Sequence, residues 1–309
     1  MDISTDNVFE FCAEENDIGE RLDKVLTERL DGEYSRTEVQ QFIKEGLVLV
    51  NQNSSKPAYR LEAGDCVYVN LPEEQPFEVL PEDIPLEVIY EDDTIAIIHK
   101  PAGMVVHPAH GNEHGTLVNA LLYRYPSIAA VGEETERAGI VHRLDKDVSG
   151  VMVVALSNIA HRELVAQFQA RTIEKHYIAL VENHPSNEKG RIDAPIGRDP
   201  RHRKRMAVLR DGKEAVTEFQ VREYYGERAL LDVFPHTGRT HQIRVHLAFI
   251  NCPIVGDNVY GYRKQRIKMN RIFLHAYRIA FEHPLSHEHM IFEVPLPNSL
   301  QNILEKLPK

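Results

Sequence analysis

The density of short apolar runs beyond residue 80 constrains this chain more than any other feature. β-Branched and aromatic stretches recur at residues 86–90, 94–98, 139–144, 151–156, 177–181, 215–221 and 229–234, whereas helical spacing appears only at 116–123, 158–171 and 240–249. Successive parallel strands need a crossover of a dozen or more residues, usually a helix. These helices are too few to separate the strands one by one. The expected class is therefore α+β, a mixed, largely antiparallel sheet flanked by helices.

A different pattern precedes it. Ile18, Leu22, Val25, Leu26 and Leu30 recur at helical spacing and end at Asp31-Gly32. Ser35-Arg36-Thr37-Glu38 has the form of a capping box, followed by Val39, Phe42 and Ile43 on one face and Gly46 as a stop. Residues 47–50, the polar run 51–55 and residues 66–69 then read as strand, turn and strand. Residues 18–71 are thus expected to form a small domain of two helices and a hairpin. Arg21, Lys24, Arg36 and Lys44 on its helices are available to grip an RNA backbone, although a generic cap domain would look the same. Pro72-Glu73-Glu74-Gln75-Pro76 is charged and aperiodic, which makes residues 72–79 a linker and 80–309 the larger domain.

At 309 residues, both domains can bury a core without staples. Cys12, Cys66 and Cys252 are widely separated and show no C-x-x-C spacing, so neither a disulfide framework nor a zinc knuckle is expected and a reducing cytoplasm fits. No apolar run is long enough for a membrane helix, and residues 1–20 lack the pattern of a secretion signal. The net charge of −11 would disfavour a nucleic-acid partner if it were evenly spread. It is not: acidic residues crowd into 2–20 and 73–91, while Arg198, Arg201, Arg203, Lys204, Arg205 and Arg210 cluster, as do Arg263, Lys264, Arg266, Lys268 and Arg271. Both basic clusters permit RNA, and both could equally be solvated loops.

Two segments carry candidate chemistry. In the first, an apolar stretch runs into His142-Arg143-Leu144-Asp145-Lys146-Asp147-Val148-Ser149-Gly150, placing Asp145 between cations that would keep a partly buried carboxylate ionised. In the second, Thr237-Gly238-Arg239-Thr240-His241-Gln242-Ile243-Arg244-Val245-His246, helical spacing puts Arg244 beside Ile243 and Leu247, so it can be driven inward. An inward guanidinium needs a carboxylate, and Asp145 is a candidate. The turn at Gly238-Arg239-Thr240 serves either as a phosphate site or as a helix cap.

These two strings, with Lys100-Pro101-Ala102-Gly103-Met104-Val105-Val106-His107-Pro108 upstream, resemble the RluA family of pseudouridine synthases, and within it the RluD-like branch. Residues 18–71 resemble the α-L (S4-type) RNA-binding domain that this branch carries. The resemblance implies that Asp145 is the essential aspartate, that Arg143 fills the space of an extruded nucleotide, that Tyr177 is the active-site tyrosine and that Arg244 is the basic partner of Asp145. RNA contacts are further expected from His142, Arg239, His241 and Gln242, and the charge cluster itself makes residues 198–210, with Arg203, Lys204 and Arg205, a candidate phosphate-contacting loop. The family pattern carries threonine where this chain has Val148, so a hydroxyl that would brace the loop is missing. The implied reaction is isomerisation of uridine after base flipping, without cofactor or metal, in large-subunit (23S) ribosomal RNA or else transfer RNA, by a cytoplasmic monomer. Tyr177 would stack on the uracil and is a candidate to remove the C5 proton. Two other readings are a metal-dependent hydrolase using His107, His110 and His114 or His283, His287 and His289, and an RNA-binding assembly factor on a retired enzyme scaffold. The histidine spacings prescribe no metal geometry, and the intact Asp145, Tyr177 and Arg244 oppose retirement.

Overall fold

The computed structural model describes residues 8–30, 34, 36–71, 79–108, 111–132, 134–200, 202, 205–262 and 264–308. Ser35, Asp31-Gly32, most of the 72–79 linker, His110, Arg201, Arg203, Lys204 and Arg263 lie outside them. The chain divides into two compact units, Met1–Phe77 and Glu78–Lys309.

In the first unit, β1 (Val8–Cys12), α1 (Leu22–Arg29), α2 (Arg36–Lys44), β2 (Val48–Val50), β3 (Asn53–Ser54) and β4 (Cys66–Asn70) form two helices on a small sheet of order β1-β4-β2-β3. Leu22, Val25 and Leu26 of α1 pack with Val39 and Ile43 of α2 and with Val48, Val67 and Val69 of the strands. β1 precedes residue 18, where the sequence pattern began. It pairs antiparallel with β4 and sets Cys12 directly opposite Cys66, and the two are joined as a disulfide. The expectation of unpaired cysteines is thus corrected. A separation of 54 residues in sequence says nothing about distance once strand register brings two side chains face to face.

In the second unit, β5 (Glu87–Glu91), β6 (Ile95–Lys100), α3 (Leu117–Arg124), β7 (Ser149–Ala155), α4 (Asn158–Ala170), β8 (Glu174–Glu182), β9 (Lys189–Asp193), β10 (Ile196–Arg198), β11 (Met206–Val208), β12 (Val216–Tyr225), β13 (Arg228–Pro235), α5 (Gln242–Phe249), β14 (Leu274–Glu282), β15 (His289–Glu293) and α6 (Asn298–Leu304) follow in order. The sheet runs β5-β6-β7-β14-β8-β13-β12-β9, with β15 also on β14, and β10 and β11 make a separate hairpin. Its pairings are antiparallel except β7 with β14, which are parallel, so the α+β class holds.

The stretch 139–144, read from sequence as a strand, makes only one isolated bridge, Ile140 to Val154. Two features prevent a ladder. Gly139 sits at φ +69°, and the N–H of Val153 donates 3.1 Å to Nε2 of His142 instead of to a backbone carbonyl. The ring of His142 thereby closes the edge of β7 that β14 leaves uncovered beyond Gly150. This docks the Asp145 loop against the sheet.

Gly150 is required where β7 and β14 approach each other. Its φ is +135°, and a Cβ there would lie 2.2 Å from the carbonyl oxygen of Ala276. Gly150→Ala is expected to destabilise the fold by about 1–3 kcal/mol through overpacking and strain, read as a lowered midpoint in urea unfolding. A midpoint equal to wild type would remove this account of the glycine.

Candidate active site

A cavity of about 570 Å³ opens between the 141–148 loop, the C-terminal end of α4, β8 and the segment leading into α5. That volume is typical of ligand clefts. Asp145, Arg143, His142, Tyr177, Arg239, His241, Gln242 and Arg244 all line it, so the structure brings these eight sequence-selected residues together.

Asp145 lies on the turn before β7, with its side chain 21% exposed. Its Oδ2 accepts from Nη1 of Arg244 at 3.0 Å. Arg244, in the first turn of α5, is buried and donates through Nε and Nη2 to both carboxylate oxygens of Asp257, at 2.7 and 3.0 Å. Asp257 is fully buried and also accepts the N–H groups of Val259 and Tyr260. Burial opposes the charge on both partners, but each offsets it for the other: Arg244 holds the Asp257 carboxyl below its usual range, and the two carboxylates keep the guanidinium charged. Arg244 is therefore a fixed bridge, anchored in the core on one side and aiming Asp145 into the cavity on the other.

Tyr260 supports the bridge from beneath, its ring 5.0 Å from the guanidinium carbon. Its hydroxyl accepts the N–H of Met206 at 2.9 Å and pairs with Nδ1 of His241 at 2.8 Å. Nε2 of the same ring lies 3.9 Å from Asp145. Burial lowers the pKa of His241 and favours the neutral ring, although Asp145 works in the opposite direction.

Val148, where the family pattern has threonine, is buried and donates its N–H 3.1 Å to the carbonyl of Asp145. The neighbouring Lys146 carbonyl accepts from Gly103 N–H at 2.7 Å and from the fully buried Nζ of Lys100 at 3.3 Å. Backbone and lysine contacts thus brace the loop without a hydroxyl.

Tyr177 extends from β8 with its hydroxyl unpaired among the described residues. Burial, and then the charge of Asp145, push the phenol well above its ordinary pKa. A phenol held protonated is a poor base, so the position favours stacking over proton abstraction. Arg143 is exposed at the cavity and makes no hydrogen bond or ion pair among the described residues.

Other sequence-selected residues are already engaged. The amide of Gln242 donates to the Val216 carbonyl and Thr217 Oγ1 and accepts from Thr237 Oγ1 and Arg239 N–H, so its hydrogen-bonding capacity is spent on tying the 237–239 turn to β12. His142 is stacked on Phe168 at 4.8 Å and pushed down to about 3 by burial, which makes it a neutral brace and not an RNA-binding cation. Arg239 donates to the Glu214 carbonyl. α5 begins at Gln242, so Gly238-Arg239-Thr240 precedes the helix; no side chain caps it, and His241 occupies the cap position at φ +57°. Arg205 lies 5.8 Å from the Tyr260 ring, while Arg203 and Lys204 lie outside the described residues.

In the first unit, Arg21 and Arg36 both donate to the buried Asp23, and Lys24 pairs with Glu20, so these three cations are already partnered within the unit; Lys44 is exposed. Sequence reasoning passed over Asp23, Asp257 and Tyr260. A signal for Asp257 was present in Gly256-Asp257 and Gly261: a Cβ on Gly256 would meet the Arg271 carbonyl and one on Gly261 the Asp257 carbonyl, each at 2.3 Å. Among the described residues no group of His, Cys, Asp and Glu converges as a metal site, and no helix is long and apolar enough to cross a membrane.

An α+β domain that holds an arginine-paired carboxylate at an open cleft has the form of an enzyme. Residues 94–249 match the RNA pseudouridylate synthase model and residues 20–67 the S4 domain. The chain belongs to the RNA pseudouridine synthase family. It is 43% identical to an uncharacterized RNA pseudouridine synthase of Bacillus subtilis (strain 168), over 98% of this chain and 99% of that one. It is 44% identical to the ribosomal large subunit pseudouridine synthase D of Xanthomonas campestris pv. campestris, over 94% of this chain and 89% of the other. Human RNA pseudouridylate synthase domain containing 1 shares the fold, with a TM-score of 0.58 at 24% identity over 74% of this chain and 97% of that structure.

Proposed function

We propose that this pseudouridine synthase modifies uridines in large-subunit ribosomal RNA and that Asp145 is its catalytic carboxylate. The observation that carries the second claim is the chain Asp257–Arg244–Asp145, which spends a buried ion pair on orienting one carboxylate toward an open cleft. The first claim draws on relatives named ribosomal large subunit pseudouridine synthase D.

Pseudouridine formation breaks the C1′–N1 bond, turns the uracil and joins C5 to C1′, so base and ribose must both be reached. The target nucleotide leaves its stack at a cost of a few kcal/mol. Arg143, exposed and unpaired among the described residues, fills the vacated space. Asp145 acts on the sugar, as a nucleophile at C1′ or as the base at C2′. Tyr177 stacks against the detached uracil and keeps it beside C1′. The work is done in the cytoplasm, where the Cys12–Cys66 bond would be reduced.

Pseudouridine mapping across total RNA from a strain lacking the protein is expected to show losses confined to large-subunit ribosomal RNA. Losses confined to transfer RNA would overturn the substrate assignment and leave the enzyme class intact.

A further inference from the structure

Lys175 is a cleft cation with no part in the chemistry above. It lies on β8 two residues before Tyr177, so both side chains leave the same face of the strand, and both line the cavity. No hydrogen bond or ion pair holds its ammonium among the described residues. Asp145, the carboxylate that lines the cavity, is held by Arg244, and Arg171, which also lines it, is paired with Glu214 at 2.9 and 2.7 Å.

What faces Lys175 is otherwise neutral or positive. The 141–145 loop presents the neutral His142 ring and Arg143 beside Asp145, and the end of α4 presents Arg171. Segment 235–244 contributes His236, Arg239, His241 and Arg244, and its own strand contributes Tyr177. A half-buried ammonium with no counter-ion is costly, and burial brings its pKa down to about 8. An anion supplied by the substrate would relieve that cost.

We propose that Lys175 binds a backbone phosphate of the RNA beside the target uridine. The ammonium donates to a non-bridging phosphate oxygen and so fixes the strand in the cleft. A hydrogen bond to a uracil oxygen is the competing use of the same ammonium, but among the described residues no carboxylate pairs with it, which favours a charged ligand. The proposal rests on the active-site reading above.

The test uses the full chain and a large-subunit ribosomal RNA transcript, with affinity measured against salt and from pH 6.5 to 9.5 for wild type, Lys175→Arg and Lys175→Gln. Lys175→Gln is expected to weaken binding about tenfold at neutral pH and to reduce the slope of log affinity against log salt by about 0.7–0.9, one phosphate contact. Wild-type affinity falls as pH rises through about 8; Lys175→Arg, which stays charged, keeps the salt slope and loses that fall. The arginine variant also guards against a glutamine variant that fails to fold, and subtracting its pH profile removes the other titrating groups in the cleft.

A wild-type salt slope and pH profile in Lys175→Gln would overturn the proposal. So would a fall in turnover with an unchanged salt slope, which would place the ammonium on uracil. Failure of the wild type to isomerise any RNA would instead defeat the active-site reading, a separate result in the same preparation.

Discussion

Asp145→Asn is expected to lose turnover by roughly 10⁴-fold or more while keeping its melting temperature and its RNA affinity near wild type. The substitution is nearly isosteric and removes only the charge. Asp145 is partly exposed and makes one hydrogen bond to Arg244, which retains both of its bonds to Asp257. The fold therefore has little to lose. The reaction loses the only carboxylate of the cluster that faces the cavity, since Asp257 is fully buried. Single-turnover conversion, with affinity measured on the same preparation, separates a chemical defect from a binding one.

Asp257→Ala is expected to fail in the opposite manner, losing stability as well as activity. Removing one partner of a buried pair leaves an uncompensated charge and costs about 3–5 kcal/mol. Arg244 would keep only Asp145 as a carboxylate partner, and the guanidinium would turn toward it, pulling the catalytic group out of line. The N–H groups of Val259 and Tyr260 would also lose their acceptor, loosening the turn that carries the Tyr260 ring under Arg244. Urea unfolding should show a much lower midpoint, and residual turnover should be depressed even where the protein is fully folded. A variant as stable as wild type would contradict the role given to Asp257.

These two aspartates also mark what could be read in the sequence. Asp145 and Arg244 were legible because a charged turn beside an apolar run, and an arginine on the apolar side of a short helix, are local patterns with one economical solution: that they meet. Asp257 was not, because its partner lies 13 residues away across a turn with no periodicity. The α+β class was readable from strand density, yet β14, in the middle of the sheet, was missed. Its pattern is broken by His275 and Arg278, and His275 is tolerated in the core only because Ser149 and the Val294 carbonyl satisfy its ring. Residues 139–144 erred the other way: they have strand composition, but the His142 ring takes the hydrogen bond that a strand's carbonyl would have taken. In each case the deciding bond comes from a side chain distant in sequence, which composition and spacing do not encode. The loop that lacks a hydroxyl at Val148 is likewise held from outside the motif, by Lys100 and Gly103.

Release of tritium from large-subunit ribosomal RNA labelled at uridine C5 tests the central claim most directly, because isomerisation must expel that hydrogen whichever route Asp145 takes. Wild type should release label in step with pseudouridine formed, and Asp145→Asn should release none above background while still binding the RNA. Equal release by the two proteins would show that Asp145 is not the catalytic carboxylate.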